Sequence, residues 1–324
     1  MTKSFINPDT AQAVISAIPA LLRFVPTNSI VAVMFGLAGT PREEIRFAIR
    51  FDLDRQQAQD FPHICSLHSR DTAAAILVAI CDPEHEEQAL DALNAARAAL
   101  HHRSIQVLQM LTTHSLTEPG RWYDPDTGEH GPTVAYTDAA ITADVVYQGS
   151  PIRESRDALD AEFALTKAAP YLATAKDFDD LIARTVTELH ALITGTADAP
   201  TEDLATRAAI IVTTDVHIRD GLLRLGVGNE QAAAQTWTTL AAQLRGQARA
   251  EILTIAAFNY YIGGDGVRAG VAIDHAADTA EAAELPLPTL ADLLNAALLA
   301  GIEPEKIRMI IPTREHTPLP GSGL

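Results

Sequence analysis

The residues best suited to chemistry in this chain are hydroxyl, amide and guanidinium groups near the ends of predicted strands. The turn Val25-Pro26-Thr27-Asn28-Ser29 joins a helix to an apolar strand, and Arg50 and Asp52 stand two residues apart on the polar face of a second strand. The stretch Gly120-Arg121-Trp122-Tyr123-Asp124-Pro125 gathers Arg, Trp and Tyr, the types that dominate binding hot spots, and Arg156 follows. Ligands in α/β sheets collect at strand ends, and two arginines beside an indole suit an anionic, planar ligand. Thr27, Asn28, Ser29, Arg50, Asp52, Arg121, Trp122 and Arg156 are therefore the ligand-binding candidates. Structural roles compete at each: Asn28 and Ser29 as turn residues, Arg50 paired with Asp52, and Trp122 plugging a sheet edge.

Other chemistries find less support. His63, His68, His101 and His102 come nearest to a metal cluster. Adjacent helical histidines point apart, however, and the other two lack a Cys or carboxylate at ligand spacing, so no metal is expected. No cofactor is expected either. Gly226-Val227-Gly228 lacks the preceding strand of a dinucleotide fingerprint, and the chain has no Gly-x-Ser-x-Gly elbow, phosphate-binding loop or His-Glu-x-x-His. Whether the protein is an enzyme stays open.

The 324 residues are 47% hydrophobic and 20% charged, as in a folded globular protein, and are enough for two domains. A net charge of −18, with Lys and Arg scattered, disfavours nucleic acid and anionic membranes as partners. No apolar run has the roughly 20 residues needed to span a bilayer. The N-terminus reads as an amphipathic helix over 8–22 rather than a signal peptide, and Cys65 and Cys81 as buried thiols, so a cytoplasmic location is expected.

The elements that must position these residues change character near residue 154. Ser29 to Phe35 is an apolar strand, and Ile45 to Leu53 alternates apolar and polar residues, predicting an antiparallel partner across a loop at Gly39-Thr40-Pro41. A helix over 55–68, a buried strand over 73–81, a helix over 84–101 and a strand over 105–111 predict a crossover with two parallel strands. The stretch 118–131 reads as irregular, and strands are predicted at 133–136 and 143–147. Beyond Ser155, which can cap a helix from Arg156, the period is helical over 156–167, 176–194, 201–224, 229–244, 247–262, 266–284 and 288–300. Residues 1–154 are thus read as an α/β domain with a mixed sheet, 155–312 as an all-α, tetratricopeptide-like region of helical hairpins, and 313–324 as a disordered tail.

Five blocks in order, Leu22-Arg23-Phe24-Val25-Pro26-Thr27-Asn28-Ser29-Ile30-Val31, Arg50-Phe51-Asp52-Leu53, Gly120-Arg121-Trp122, Ser155-Arg156-Asp157-Ala158-Leu159 and Val216-His217-Ile218-Arg219-Asp220, resemble the actinobacterial DUF4192 family across nearly the whole chain. The resemblance implies this architecture and an actinobacterial cytoplasm, but no established activity. Family members often carry cysteines after the Arg-Trp pair. Residues 123–131 hold none here, a departure from the family pattern that removes the resemblance's support for a metal or redox role of that loop.

Two functions are weighed. The first is a non-catalytic adaptor whose helical half offers a groove to a protein partner, with contact at Trp237, Tyr260 and Tyr261. The second is a small anionic-ligand-binding protein or enzyme with its pocket at the Pro26–Ser29 turn and the Arg121-Trp122 loop. The oligomeric state stays open.

Overall fold

The computed structural model describes residues 11–36, 45–65, 67, 72–170, 177–311 and 319. The predicted loop at 39–41, His68, the start of the first helix and most of the tail lie outside them.

Contacts divide the chain at Leu159/Asp160 into two compact units, with 299–301 counted in the first. The first unit holds one mixed sheet of six strands in the order β2-β1-β3-β4-β5-β6. Its strands are β1 (Ser29–Phe35), β2 (Ile45–Asp52), β3 (Ala74–Ile80), β4 (Gln106–Thr113), β5 (Gly120–Tyr123) and β6 (His130–Thr133). Its helices are α1 (Ala11–Leu22), α2 (Arg55–Ile64), α3 (Glu86–His102), α4 (Ala140–Tyr147) and most of α5 (Arg156–Asp160).

The antiparallel pair predicted from alternation forms, with Ser29 opposite Asp52 and Val31 opposite Arg50. β1 also runs antiparallel to β3, and β3 runs parallel to β4 through the α3 crossover. β1 and β3 are apolar at nearly every position because both of their faces are covered. Ile30, Ala32 and Met34 of β1 join Leu77 of β3 in a core with Ala58 and Phe61 of α2 and Leu93 and Ala96 of α3. Phe51 and Phe61 stack there with ring centroids 4.7 Å apart. The intervening residues Val31 and Val33, also fully buried, belong to the opposite face, where α1 reaches both edge strands, β2 and β6.

The stretch 118–131 departs from expectation. It is not irregular but a hairpin, β5 pairing with β6. The turn residues that suggested a loop are confined to its tip: the Asp124 carboxylate accepts from the N–H groups of Asp126 (2.8 Å) and Thr127 (3.2 Å), and Gly128 takes φ +74°. Such an Asx turn lets the flanking residues pair. The strand expected at 143–147 is instead the end of α4, and that at 133–136 is the last residue of β6 followed by a 3₁₀ turn over Tyr136–Asp138. Ser155 caps as predicted, its Oγ accepting from Ala158 N at 3.0 Å, but α5 stops at Asp160 and passes into a 3₁₀ turn.

The second unit is helical: α6 (Phe178–Ile193), α7 (Leu204–Thr214), α8 (Val216–Leu222), α9 (Glu230–Ala242), α10 (Gly246–Ile262), α11 (Gly266–Ala282), most of α12 (Thr289–Leu299) and α13 (Pro304–Arg308). The single helix expected over 201–224 breaks at Asp215, which is extended and caps α8 by accepting from His217 N at 2.8 Å. α10 packs against both α9 and α11. α10 is buried along almost its whole length, so its sequence carries little amphipathic contrast.

Four buried arginines tie this unit together. Arg268, 1% exposed, donates to both Glu162 oxygens at 2.8 Å and to Asp265 Oδ2 at 2.9 Å. Arg207 pairs with Glu188 and Asp203, and Arg219 with Asp220 and Glu251. Arg249 donates to the carbonyls of Ala241 and Phe163, each at 2.7 Å. Buried guanidinium groups persist where several acceptors replace water, and these do.

Candidate functional site

The sheet register sorts the sequence candidates. Asp52, Ser29, Ile80, Thr113 and Trp122 are opposite one another in successive strands, so all of the strand-borne candidates fall at one end of the sheet. They do not fall together. Ser29 and Trp122 are separated by two intervening strands, roughly 14 Å at the usual strand spacing.

On the β1–β2 side the groups converge. Arg50 Nε donates to Ser29 Oγ at 2.7 Å, Ser29 Oγ donates to the Thr27 carbonyl at 2.6 Å, and Arg50 Nη1 pairs with Asp52 Oδ1 at 2.8 Å. Asn28 has φ +42°, a conformation that asparagine tolerates better than most residues. Its amide donates to Asp82 Oδ2 and its carbonyl accepts from Asp82 N, both at 3.0 Å. The start of β1 is thereby clipped to the turn after β3.

Beside this clip lies an open, shallow cleft of about 330 Å³, lined by Asn28, Asp52, Leu53, Asp54, Gln57, His85 and Gln88. Local chain logic puts each there. Asp54 is the N-cap of α2, its Oδ1 accepting from Gln57 N at 2.8 Å. Gln57, in the first turn of the helix, reaches back to Asp52, its amide donating to Oδ2 and its carbonyl accepting from the backbone N–H, both at 3.2 Å. Gln88, in the first turn of α3, donates to the Leu53 carbonyl. Pro83 starts the 3₁₀ turn that brings in His85, whose Nδ1 is buried with no hydrogen-bond partner among the described residues. Only Asn28 and Asp52 of the sequence candidates line this space. Asp54, Gln57, His85 and Gln88 were missed because capping and first-turn residues are read as structural punctuation.

On the other side the candidates belong to the β5–β6 hairpin. The Trp122 indole lies against Gly131 so closely that a Cβ there would stand 2.7 Å from Nε1, and Trp122 thus closes the β5–β6 hairpin. Arg121 is exposed beside it on β5. Arg156 opens α5. The two-arginine anionic pocket is therefore not assembled: Arg50 is matched by Asp52, and Arg121 and Trp122 stand apart with the hairpin.

The candidates in the second unit are core residues. Trp237, Tyr260 and Tyr261 are 0%, 2% and 3% exposed. Tyr260 Oη accepts from Thr238 Oγ1 at 3.4 Å, and Tyr261 Oη donates to the Ile302 carbonyl at 2.9 Å. Burial pushes the Tyr260 phenol up to about 12.

Of the histidines considered for metal, His101 and His102 end α3 in exposed positions, and His63 Nδ1 lies 3.2 Å from Arg103 Nη2. A different set, Asp82, Glu84 and His85, brings its ligand atoms within 4.8 Å of one another. Asp82 is already engaged by Asn28, and Glu84 is largely exposed. Both cysteines are free, and burial pushes the Cys65 thiol up to about 11.

Fold and site together define a two-unit α/β-plus-helical protein with a polar cleft at the strand ends. The chain belongs to the family described as Domain of unknown function (DUF4192), which matches residues 12–305. No curated protein and no solved structure matches it. No helix among the described residues is long and apolar enough to cross a membrane.

Proposed function

We propose that this DUF4192 protein binds a small polar molecule in the cleft at the ends of β2 and β3. The observation that carries the reading is the convergence of polar side chains from three chain segments, at Asn28, 52–57 and 85–88, on one concave space at the strand ends, where α/β proteins place their ligands. The walls are held by the Asn28–Asp82 clip and the Asp52–Gln57 pair, so the space is formed before a ligand arrives. An adaptor working through Trp237, Tyr260 and Tyr261 is less well supported, because those side chains lie in the core and offer a partner no surface. The free thiols of Cys65 and Cys81 fit a reducing compartment, and cytoplasmic residence is part of the proposal.

The test is a thermal-shift screen of the full chain against a library of small metabolites, repeated with His85→Ala, Gln57→Ala and Arg121→Ala. A compound that raises the Tm of the wild type and of Arg121→Ala, but not of the two cleft variants, is the expected outcome. A shift lost on Arg121→Ala and kept by the cleft variants would move the site to the hairpin.

A further inference from the structure

We infer that the turn between α9 and α10 is a second binding site, separate from the cleft, for a small polyanion of the phosphate class whose charge is matched by Arg245, Arg249 and Lys167.

The inference starts from Arg249. It is buried, at 4% exposure, like Arg207, Arg219 and Arg268. Each of those three is matched by two carboxylates, and Arg249 by none among the described residues. Its acceptors are all neutral: the carbonyls of Ala241 and Phe163 at 2.7 Å and Thr279 Oγ1 at 3.3 Å. Glu162, the residue before Phe163, has both carboxylate oxygens on Arg268. A guanidinium cannot shed its proton in a protein, and a buried charge requires a counter-charge as well as hydrogen bonds.

The charge that does act on Arg249 has the same sign. Arg245 lies one helical turn before it and donates to the carbonyls of Leu244 and Thr166, each at 2.8 Å. Burial and this neighbour together push the Arg249 guanidinium down from its ordinary value. Lys167, which follows the carbonyl that Arg245 holds, is exposed and has no ion pair among the described residues. Three cations thus gather at one turn of a chain whose net charge is −18.

Hydrogen bonding to the end of α9 explains where the two guanidinium groups lie but leaves their charge unmatched, since a helix C-terminus offers roughly half an elementary charge. Both also keep donors in reserve, each having more N–H groups than the three acceptors it meets. The start of α10 adds to the positive field: its N-cap is Arg245, and it has neither a capping side chain nor an acidic residue in its first turn, whereas aspartates cap α2, α6, α8 and α11. Several cations at one place favour a multiply charged oxyanion over a monocarboxylate. Arg245 and Lys167, both exposed, give it access from solvent, with Arg249 behind them.

Isothermal titration of the full chain with sodium pyrophosphate tests this, with sodium chloride of equal ionic strength as the blank and hexaglutamate as a peptide anion. Pyrophosphate should bind the wild type, about tenfold or more weakly to Arg245→Gln, as befits loss of a hydrogen bond to a charged group. Lys167→Ala, which removes an exposed side chain and keeps the fold, should weaken it too, and added salt should weaken it in all forms. His85→Ala, in the cleft, should leave it unchanged. No heat beyond the chloride blank, or an affinity that Lys167→Ala and Arg245→Gln both leave intact, would overturn the site. Binding abolished by His85→Ala would place the anion in the cleft instead. Hexaglutamate binding tighter than pyrophosphate, and lost in Arg245→Gln, would replace the small ligand by an acidic protein segment.

Discussion

Asn28 and Asp82, 54 residues apart, hold each other through two hydrogen bonds of 3.0 Å, one from side chain to side chain and one from backbone to side chain. This pair sets the edge of the cleft, because it fixes the turn entering β1 against the turn leaving β3. Asn28→Gly keeps a backbone that accepts φ +42° while removing both bonds. It is expected to cost about 0.5–1.5 kcal/mol in urea unfolding, the net range for hydrogen bonds exposed to solvent. A cost near zero would show that the clip does not hold the turns together.

Glycine positions give a contrasting pair. A Cβ on Gly226 would stand 1.7 Å from Asn259 Oδ1, inside a fully buried side chain, whereas one on Gly270, within α11, meets nothing within 4 Å. Gly226→Ala should destabilise by about 1–3 kcal/mol through overpacking. Gly270→Ala should stabilise by about 0.4–1 kcal/mol by restricting the unfolded chain. Chemical denaturation of the two variants beside the wild type checks both signs.

Acid should weaken the helical unit through Glu188 and Asp203. Burial opposes ionisation of Glu188, but hydrogen bonds from Thr201 and Arg207 outweigh it and hold its pKa below the ordinary value; Asp203 is lowered in the same way by Arg207 and Thr201. A folded pKa below the unfolded one gives stability that is complete above the unfolded value, about 4 for these groups, and is lost as pH falls through the folded value. Denaturation midpoints should therefore be flat near neutrality and fall below about pH 4. Glu188→Gln should lower the neutral plateau and make the acid fall shallower.

Removing the Arg268 guanidinium leaves Glu162 and Asp265 facing each other without their shared cation. Arg268→Ala should cost about 3–5 kcal/mol, the range for breaking a buried ion pair on one side. Glu162→Gln, which keeps an acceptor, should cost less. No loss at all on Glu162→Gln would mean that charge contributes nothing to the tie, and a loss as large as that of Arg268→Ala would contradict the expected order.

How much of this was legible in the sequence depended on the range of the interaction. The β1–β2 pair, the parallel β3–β4 crossover and the Ser155 cap follow from local patterning, which reflects burial on one face or two. The β5–β6 hairpin did not, because its pairing rests on a side-chain turn at Asp124 rather than on alternation. Asn28 and Asp52 were legible as polar groups at strand ends. Asp54, Gln57, His85 and Gln88 were not, since a capping aspartate and a first-turn glutamine look the same whether or not a second helix faces them. Trp237 and Tyr260 show the converse: aromatic residues carry no sign of which side of a helix will be covered until its neighbours are placed.

The most direct test of the central claim is chemical-shift mapping of the full chain, isotopically labelled, against a compound that raises its Tm in the metabolite screen. Perturbations should concentrate at the backbone amides of Asp54, Gln57, His85 and Gln88 and leave Arg121 and Trp122 unchanged. Perturbations clustered on the β5–β6 hairpin, or confined to the helical unit, would contradict the assignment of the cleft as the binding site.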